Sequence, residues 1–433
     1  MNYRRRGRVV LGISMAALAV ASLVSVAQAA ALATPLEIFR ELPASAALPQ
    51  DVDLRTVKPV SVDGAAERPM DVSATDVNTP APITFNECAP NRQNPLGGVF
   101  KNPFSTCQIT DMRYQRYACP ESTCPVVASA SARVIVIRNM QPSQRRVVIG
   151  HQVVMFTYTG MPDTTRFGID LTCGAKYATG TANCDVPEAE VTKSIADWIA
   201  EPTELNVFTM RGEDVPNPAD PPKIQAEKRT WYTLGRSLFF EGEPGETARL
   251  DAPSLSSSAR CDVAGYAYGS KCVFPGTHTF VVDLREPKIA ESGQLVNAAM
   301  TNFATTYPGP LEGRFVAGKN SANSALRTYP VTRIHHDQAT VDANKAVAEQ
   351  ACATRSGPNW RTRPDGGTNE CAVYPFNSTK DGANFSPGTS EGASFAVKPV
   401  LKADYDKLEE TLRIFLGESH ILDGDQYWVW ARA

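Results

Sequence analysis

The chain has 433 residues, enough for two or three domains, and its 43 Lys and Arg residues against 46 Asp and Glu residues give a formal net charge of −3. Residues 1–29 carry four arginines and no acid, so removing them takes the net charge from −3 to −7. A protein of this sign has no overall electrostatic attraction to DNA or to an anionic membrane. Binding by global charge is therefore excluded, and contact with DNA requires a local basic patch.

Residues 1–29 have the three-part order of a secretory signal peptide. Four arginines precede an uncharged, Ala-rich stretch at Val9–Val26, and Ala27-Gln28-Ala29 fits the small-x-small cleavage rule. The sequence predicts a secreted, extracellular protein without a membrane contact after signal cleavage, because no later segment is apolar enough to cross a bilayer. An uncleaved N-terminal anchor is the alternative, and the general and twin-arginine export routes both stay open.

Residues 30–82 are rich in Ala, Pro, Val and Asp and show no sustained period of 2 or 3.6 residues. This pattern is typical of a flexible leader, with at most one short helix near Leu36–Leu42. A pro-segment and a simple spacer fit the composition equally well.

Residues 83–253 alternate apolar, β-branched runs with turn residues, and this pattern predicts an antiparallel sandwich or barrel. The predicted strands include Arg133–Arg138, Val147–Tyr158, Leu205–Met210 and Thr230–Phe240. One helix is expected at Pro187–Glu201, where Asp185 is a candidate cap and Trp198 lies on the core face.

An even number of cysteines in an exported chain predicts a disulfide framework. The ten cysteines fall into close sequence pairs, namely Cys88/Cys107, Cys119/Cys124, Cys173/Cys184, Cys261/Cys272 and Cys352/Cys371. Pairing between neighbours is our hypothesis, since the sequence does not fix connectivity. A zinc site is disfavoured because the Cys119–Cys124 segment has no second half with ligand spacing.

A Ser-rich segment opens residues 254–327, which we interpret as a linker and lead-in, and residues 328–433 follow as an α+β domain. Over both segments the expected helices are Ala290–Tyr307, Asp337–Ala353 and Ala403–Leu416, and the expected strands are Thr277–Leu284, Ala393–Val400 and Gln426–Ala431. The fold class predicted for the whole chain is thus a β-rich domain followed by an α+β domain.

Four passages of the C-terminal part resemble the secreted NucA/NucB deoxyribonuclease family. They are Thr332-Arg-Ile-His-His-Asp337, Cys371-Ala-Val-Tyr-Pro-Phe-Asn-Ser-Thr379, Glu391-Gly-Ala-Ser394 and Ile421-Leu-Asp-Gly-Asp425. The likeness begins weakly near Arg260-Cys-Asp262, and the Tyr-Pro-Phe-x-Ser-Thr core is its most specific piece. The resemblance implies metal-assisted cleavage of DNA, with Mg²⁺ or Mn²⁺ as the divalent metal.

The chain departs from the family directly after the core cysteine. Family members carry an Asp-Glu pair there, whereas this chain has Ala372 and Val373. Phosphodiester hydrolysis needs an activated water and a group that neutralises charge on the phosphate, and a carboxylate-held metal can supply both. Ala and Val can neither bind a metal nor move a proton.

The remaining candidates for catalysis are Glu391, which the resemblance preserves best, Asp381, and His336 as a base or ligand. Each has a structural alternative, since adjacent histidines before a helix are commonly a solvated cap and Asp381-Gly382 is commonly a turn.

The region from Thr328 onward is also net acidic, so phosphate binding depends on one local cluster. Its members lie between two cysteines, and they are Arg355, Trp360, Arg361 and Arg363. Three arginines around a tryptophan can hold phosphate and stack a base, although a solvated disulfide loop fits the same residues.

The sequence therefore supports two hypotheses about function. In the first, the chain is a secreted, metal-dependent DNA endonuclease that uses the residues above. In the second, its nuclease-like domain has lost catalysis and acts as an extracellular binding or structural domain, with a protein partner or cell-surface material as its target.

Overall fold

The computed structural model describes residues 36–41, 81–88, 99–118, 124–176, 182–214, 216–241, 247–251, 256–269, 271–309, 317–319, 329–384 and 394–433. Within these residues the protein is mostly β-structure arranged in several antiparallel sheets. The predicted signal peptide and most of the predicted leader lie outside the described residues. We call residues 36–275 the β region and residues 276–433 the C-terminal region.

The described residues of the β region form two large sheets and three short α-helices. Its strands are β1 Leu36–Glu41, β2 Val99–Asn102, β3 Ser105–Tyr117, β4 Val126–Gln141, β5 Arg146–Thr159, β6 Arg166–Lys176, β7 Asn183–Asp185, β8 Glu190–Ser194, β9 Thr203–Arg211, β10 Thr230–Glu241, β11 Thr247–Leu250, β12 Ser257–Asp262 and β13 Lys271–Val273. Its helices are α1 Phe85–Cys88, α2 Ile195–Ala200 and α3 Pro222–Gln225. The four strands named from the sequence are confirmed within β4, β5, β9 and β10.

The first sheet has seven strands in the order β1-β3-β4-β5-β9-β7, with β2 also paired to β3. The second sheet has six strands in the order β13-β12-β10-β6-β8, with β11 also paired to β10. Every pairing in both sheets is antiparallel, as the hairpin-like spacing of the strands predicts. Strands β12 and β13 lie in the segment interpreted as a linker, so the β region extends to Val273.

The two sheets share one apolar core, because side chains alternate between the faces of each strand. Val134 and Val136 of β4 point into this core, where they join Phe167 and Leu238 of the second sheet. Trp198 is fully buried there and donates from Nε1 to the carbonyl of Phe167 at 2.8 Å. The predicted core role of Trp198 is confirmed.

Two local predictions are wrong. Residues 36–41 form strand β1, paired with β3, rather than a short helix near Leu36–Leu42, because the edge of the first sheet offers the backbone a hydrogen-bonding partner. The helix expected at Pro187–Glu201 is confined to Ile195–Ala200 and is capped by Ser194 instead of Asp185. The residues before it form β8, which pairs with β6.

In the part of the C-terminal region that the structure describes, there are three α-helices and five strands. They are β14 His278–Asp283, α4 Ala290–Thr301, β15 Val331–Thr332, α5 Gln338–Ser356, β16 Asn369–Tyr374, β17 Ala396–Leu401, α6 Lys402–Glu418 and β18 Gln426–Arg432. Strand β18 lies between a parallel β14 and an antiparallel β15, and β16 pairs antiparallel with β17. Helix α5 packs on one face of the β16–β17 pair, while α4 and α6 cover the other.

Four of the five predicted cysteine pairs are confirmed as disulfides between neighbours. They are Cys88–Cys107, Cys173–Cys184, Cys261–Cys272 and Cys352–Cys371. Cys119 of the fifth predicted pair lies outside the described residues. Disulfides of this kind are compatible with an exported protein. Among the helices of the described residues, none combines the length and the apolarity needed to span a bilayer.

Candidate functional site

The positions of the missing acid pair lie inside the C-terminal region. Ala372 is 2% exposed and packs in the core with α4 and α6, whereas Val373 is 4% exposed and packs on the α5 side with Ala348 and Cys352. Consecutive residues of β16 point to opposite faces, so both positions face apolar side chains. A carboxylate at either position would be removed from solvent.

Asp381 is the candidate acid that follows β16 within the described residues. Asp381 is partly buried and accepts a hydrogen bond from the Thr332 amide at Oδ2, at 2.8 Å. Burial raises the pKa of the Asp381 carboxyl above its usual range, although the Thr332 amide acts in the opposite direction. Asp381 therefore ties the loop after β16 to β15. Glu391 lies outside the described residues.

Two of the three arginines in the predicted phosphate-binding cluster are already engaged by carboxylates. Arg361 lies 2.9 Å from Glu349 and 3.4 Å from Glu370 while its guanidinium stacks on Trp360, with 4.4 Å to the ring centroid. Trp360 itself is only 8% exposed. The charge of Arg361 is therefore compensated within the protein.

The other two arginines of the cluster are also held. Arg363 contacts both carboxylate oxygens of Glu291 at 3.2 Å and lies 3.3 Å from Asp365. Arg355 lies over the ring of Tyr307, 5.3 Å from its centroid. Of the acids that contact Arg361 and Arg363, Asp365 and Glu370 are close to them in sequence, whereas Glu349 comes from α5 and Glu291 comes from α4.

His336 lies at the contact between the β region and the C-terminal region, away from the arginine cluster. Its Nε2 is 2.6 Å from Oε1 of Glu227, a carboxylate that is 5% exposed. The same oxygen accepts from the Tyr266 hydroxyl at 2.6 Å, and Arg229 donates to the other oxygen at 2.5 Å. Glu227 thus orients His336, and sequence reasoning missed it because 109 residues separate the two.

The loop that carries Asp423 completes this contact. Asp423 Oδ1 accepts from the amides of His335 at 2.6 Å and His336 at 3.2 Å, and its carbonyl accepts from Arg229 at 2.7 Å. The exposed His335 ring stacks on Tyr266, with centroids 3.6 Å apart. Burial and the nearby Arg333 lower the pKa of His335, so its neutral form is favoured.

Arg260 and Asp425 form a charged contact that also joins the β region to the C-terminal region. Arg260 of β12 is 2% exposed and donates to both carboxylate oxygens of Asp425, at 2.9 and 2.7 Å. Its Nη2 also donates to the carbonyl of His420 at 3.0 Å, and the side chain of His420 contacts Asp262. The weak resemblance to the NucA/NucB family begins at Arg260-Cys-Asp262, and this is the one sequence feature that drew attention to these residues.

A cavity of about 290 Å³ opens next to Arg260. Its wall consists of the segment Val273–His278, which links the two regions, together with Ser419–Ile421 and Gly424–Gln426. Burial is the main cause that lowers the pKa of His278 to about 4, so this ring is neutral at neutral pH. Four of the five histidines in the chain therefore lie at the junction: His278, His335, His336 and His420.

The side chains at the positions where the resemblance implies a divalent metal have no atom that could bind one. Ala372 and Val373 supply methyl groups where Mg²⁺ or Mn²⁺ would need oxygen ligands. Within the part of the chain that the structure describes, no three His, Cys, Asp or Glu side chains converge as a metal site. Comparison of the chain with family models, with curated proteins and with solved structures finds no match.

Proposed function

We propose that this chain is an exported protein whose NucA/NucB-like C-terminal region serves as a binding or structural domain instead of cutting DNA. One observation carries the proposal, namely the apolar packing of Ala372 and Val373 at 2% and 4% exposure. Residues that occupy a close-packed core stabilise the fold, and their side chains have no atom that could activate water.

The charged groups around the segments that resemble the NucA/NucB family support the same role. Glu349 and Glu370 hold Arg361, and Glu291 holds Arg363, so binding a phosphate backbone would require these contacts to break. The Ile421–Asp425 segment, which also carries the family likeness, is engaged by Arg229 and Arg260 of the β region. In this proposal, the resembling motifs position the two regions relative to each other.

A second function, metal-assisted DNA cleavage, is favoured by one observation. His336 is 26% exposed and held by a buried carboxylate, which is how general bases are commonly oriented. Lys223 donates to the His336 carbonyl at 2.9 Å and fixes the backbone there. Under this alternative, His336 would accept the proton of the attacking water, and Glu227 would set the orientation of the ring.

A plasmid-degradation assay on the purified mature protein separates the two functions. With Mg²⁺ or Mn²⁺, each with and without chelator, the binding role predicts no cleavage above a buffer control. Cleavage that is lost in both His336→Gln and Glu391→Gln, but kept in His335→Gln, would overturn our proposal and establish the nuclease. His335→Gln is the matched control because it changes the neighbouring exposed imidazole; unchanged melting temperatures would show that all variants are folded.

A further inference from the structure

The cavity at the junction has the chemistry of a small-ligand site, and its charges are already balanced. Arg260 and Asp425 both line the cavity, and they form an ion pair with 2.7 Å between Nη1 and the nearer carboxylate oxygen. An added anion would meet the carboxylate of Asp425, and an added cation would meet the guanidinium of Arg260. Either contact between like charges would cost electrostatic free energy, and a ligand without net charge avoids this cost.

Several polar groups of the wall can still form hydrogen bonds to a ligand. Arg260 lines the cavity, but its guanidinium is already occupied. Nη1 donates to Asp425 and Nη2 donates to the carbonyl of His420, and Nε lies 3.5 Å from a carboxylate oxygen of Asp262. Ser419, Thr277 and Gln426 also line the cavity, and they carry two hydroxyls and one side-chain amide. Hydroxyls and amides both donate and accept, which suits a ligand with many hydroxyl groups.

Part of the wall is apolar, and the volume is small. Val273, Phe274, Pro275 and Ile421 provide the apolar surface. At about 30 Å³ for each water of the liquid, a volume of about 290 Å³ corresponds to about ten waters. This is the size range of one sugar ring, and an oligosaccharide would have to extend beyond the cavity.

We infer that the junction cavity binds an uncharged polyhydroxy ligand, a single sugar residue, between the β region and the C-terminal region. The inference rests on the binding role proposed above and names its substrate class. The hydroxyls of Ser419 and Thr277 and the side-chain amide of Gln426 would exchange hydrogen bonds with the hydroxyl groups of the ligand, and the apolar part of the wall would cover the carbon face of the ring.

Calorimetric titration of the full mature protein with glucose and N-acetylglucosamine tests the inference, with inorganic phosphate and thymidine monophosphate as anionic comparators. We expect one of the sugars to bind and both anions to fail. Ser419→Phe should fill the cavity and weaken sugar binding by at least about tenfold. Ser356→Phe, at the exposed end of α5, is the matched control and should bind like the parent protein.

Each other outcome overturns the inference. Binding of an anion without a sugar would show that the cavity recognises charge, and absence of all binding would show that it is only a packing defect. Equal sugar affinity in folded Ser419→Phe would place the site elsewhere. These results are independent of plasmid cleavage, so the sugar site and the loss of nuclease activity can fail separately.

Discussion

His420 and Asp262 form a pair in which both side chains are 0% exposed, and the pair joins the end of α6 to β12. His420 Nε2 lies 2.9 Å from both carboxylate oxygens, and its Nδ1 lies 2.9 Å from the carbonyl of Ala267. Both ring nitrogens of His420 therefore face oxygens of the β region. The C-terminal region thus supplies the buried ring, and the β region supplies the groups that it contacts.

Asp262→Asn should destabilise the protein strongly, because the mutation removes a buried carboxylate that contacts both the His420 ring and the guanidinium of Arg260. Removing one partner of a buried pair costs about 3–5 kcal/mol. Denaturant unfolding of the parent and the variant measures the difference in free energy of unfolding. Glu410→Gln, which removes a carboxylate from the exposed pair with Lys407, is the control and should change little. Similar small effects for the two mutations would contradict a stabilising role for the buried Asp262 carboxylate.

Glu227 and His336 should be energetically coupled across the junction. Since Glu227 also accepts from Tyr266 and Arg229, Glu227→Gln alone weakens several contacts, and only a double-mutant cycle isolates the pair. We expect a coupling energy of about 0.5–3 kcal/mol between Glu227→Gln and His336→Gln in denaturant unfolding. The same cycle between Glu227→Gln and the distant Glu410→Gln should be additive. Additivity in the first cycle would exclude a direct Glu227–His336 interaction.

Glu409 should make stability fall as pH rises. Burial raises the pKa of this carboxyl from 4.5 to about 7, while the Tyr405 hydroxyl acts in the opposite direction. Between these pH values the unfolded chain releases the proton and the folded chain keeps it, so the stabilisation present below pH 4.5 is lost as pH passes 7. Glu409→Gln should remove this fall and gain on the order of 2–3 kcal/mol at pH 8.

Unfolding free energies of the parent and of Glu409→Gln, measured from pH 4 to pH 8, check this expectation. Glu410→Gln changes the adjacent exposed carboxyl and is the matched control, which should keep the parent slope. A Glu409→Gln curve parallel to the parent curve would show that the Glu409 carboxyl titrates alike in the folded and unfolded chains.

Ala372→Asp restores one family acid and should cost several kcal/mol of stability, because the site can neither solvate nor pair the new carboxylate. It should also restore no cleavage of plasmid DNA. Ala403→Asp, in the exposed first turn of α6, is the control and should be neutral or slightly stabilising because an acid there opposes the helix dipole. A stable Ala372→Asp protein that cuts DNA with Mg²⁺ would show that the apolar packing adapts.

The sequence by itself determined the elements whose signals are local. The alternation of β-branched residues fixes β4 and β10, and the apolar spacing of α5 and α6 fixes helices that the structure confirms almost to the residue. Neighbouring cysteines also predicted four disulfides correctly. Where a local pattern was weak, as at Leu36–Leu42 and Pro187–Glu201, pairing with a neighbouring strand decided the conformation.

In the candidate site, by contrast, local sequence signals were not sufficient. His336, Arg361 and Trp360 were identifiable from the sequence as residues able to do chemistry, but their partners were not. Only the tertiary structure brings Glu227 to His336 and Glu349 to Arg361, and it places Ala372 in a core. The physical reason is that charge, protonation and access to solvent depend on neighbours in space. In this chain, the deciding neighbours are often separated from the site by many residues and belong to other strands and helices.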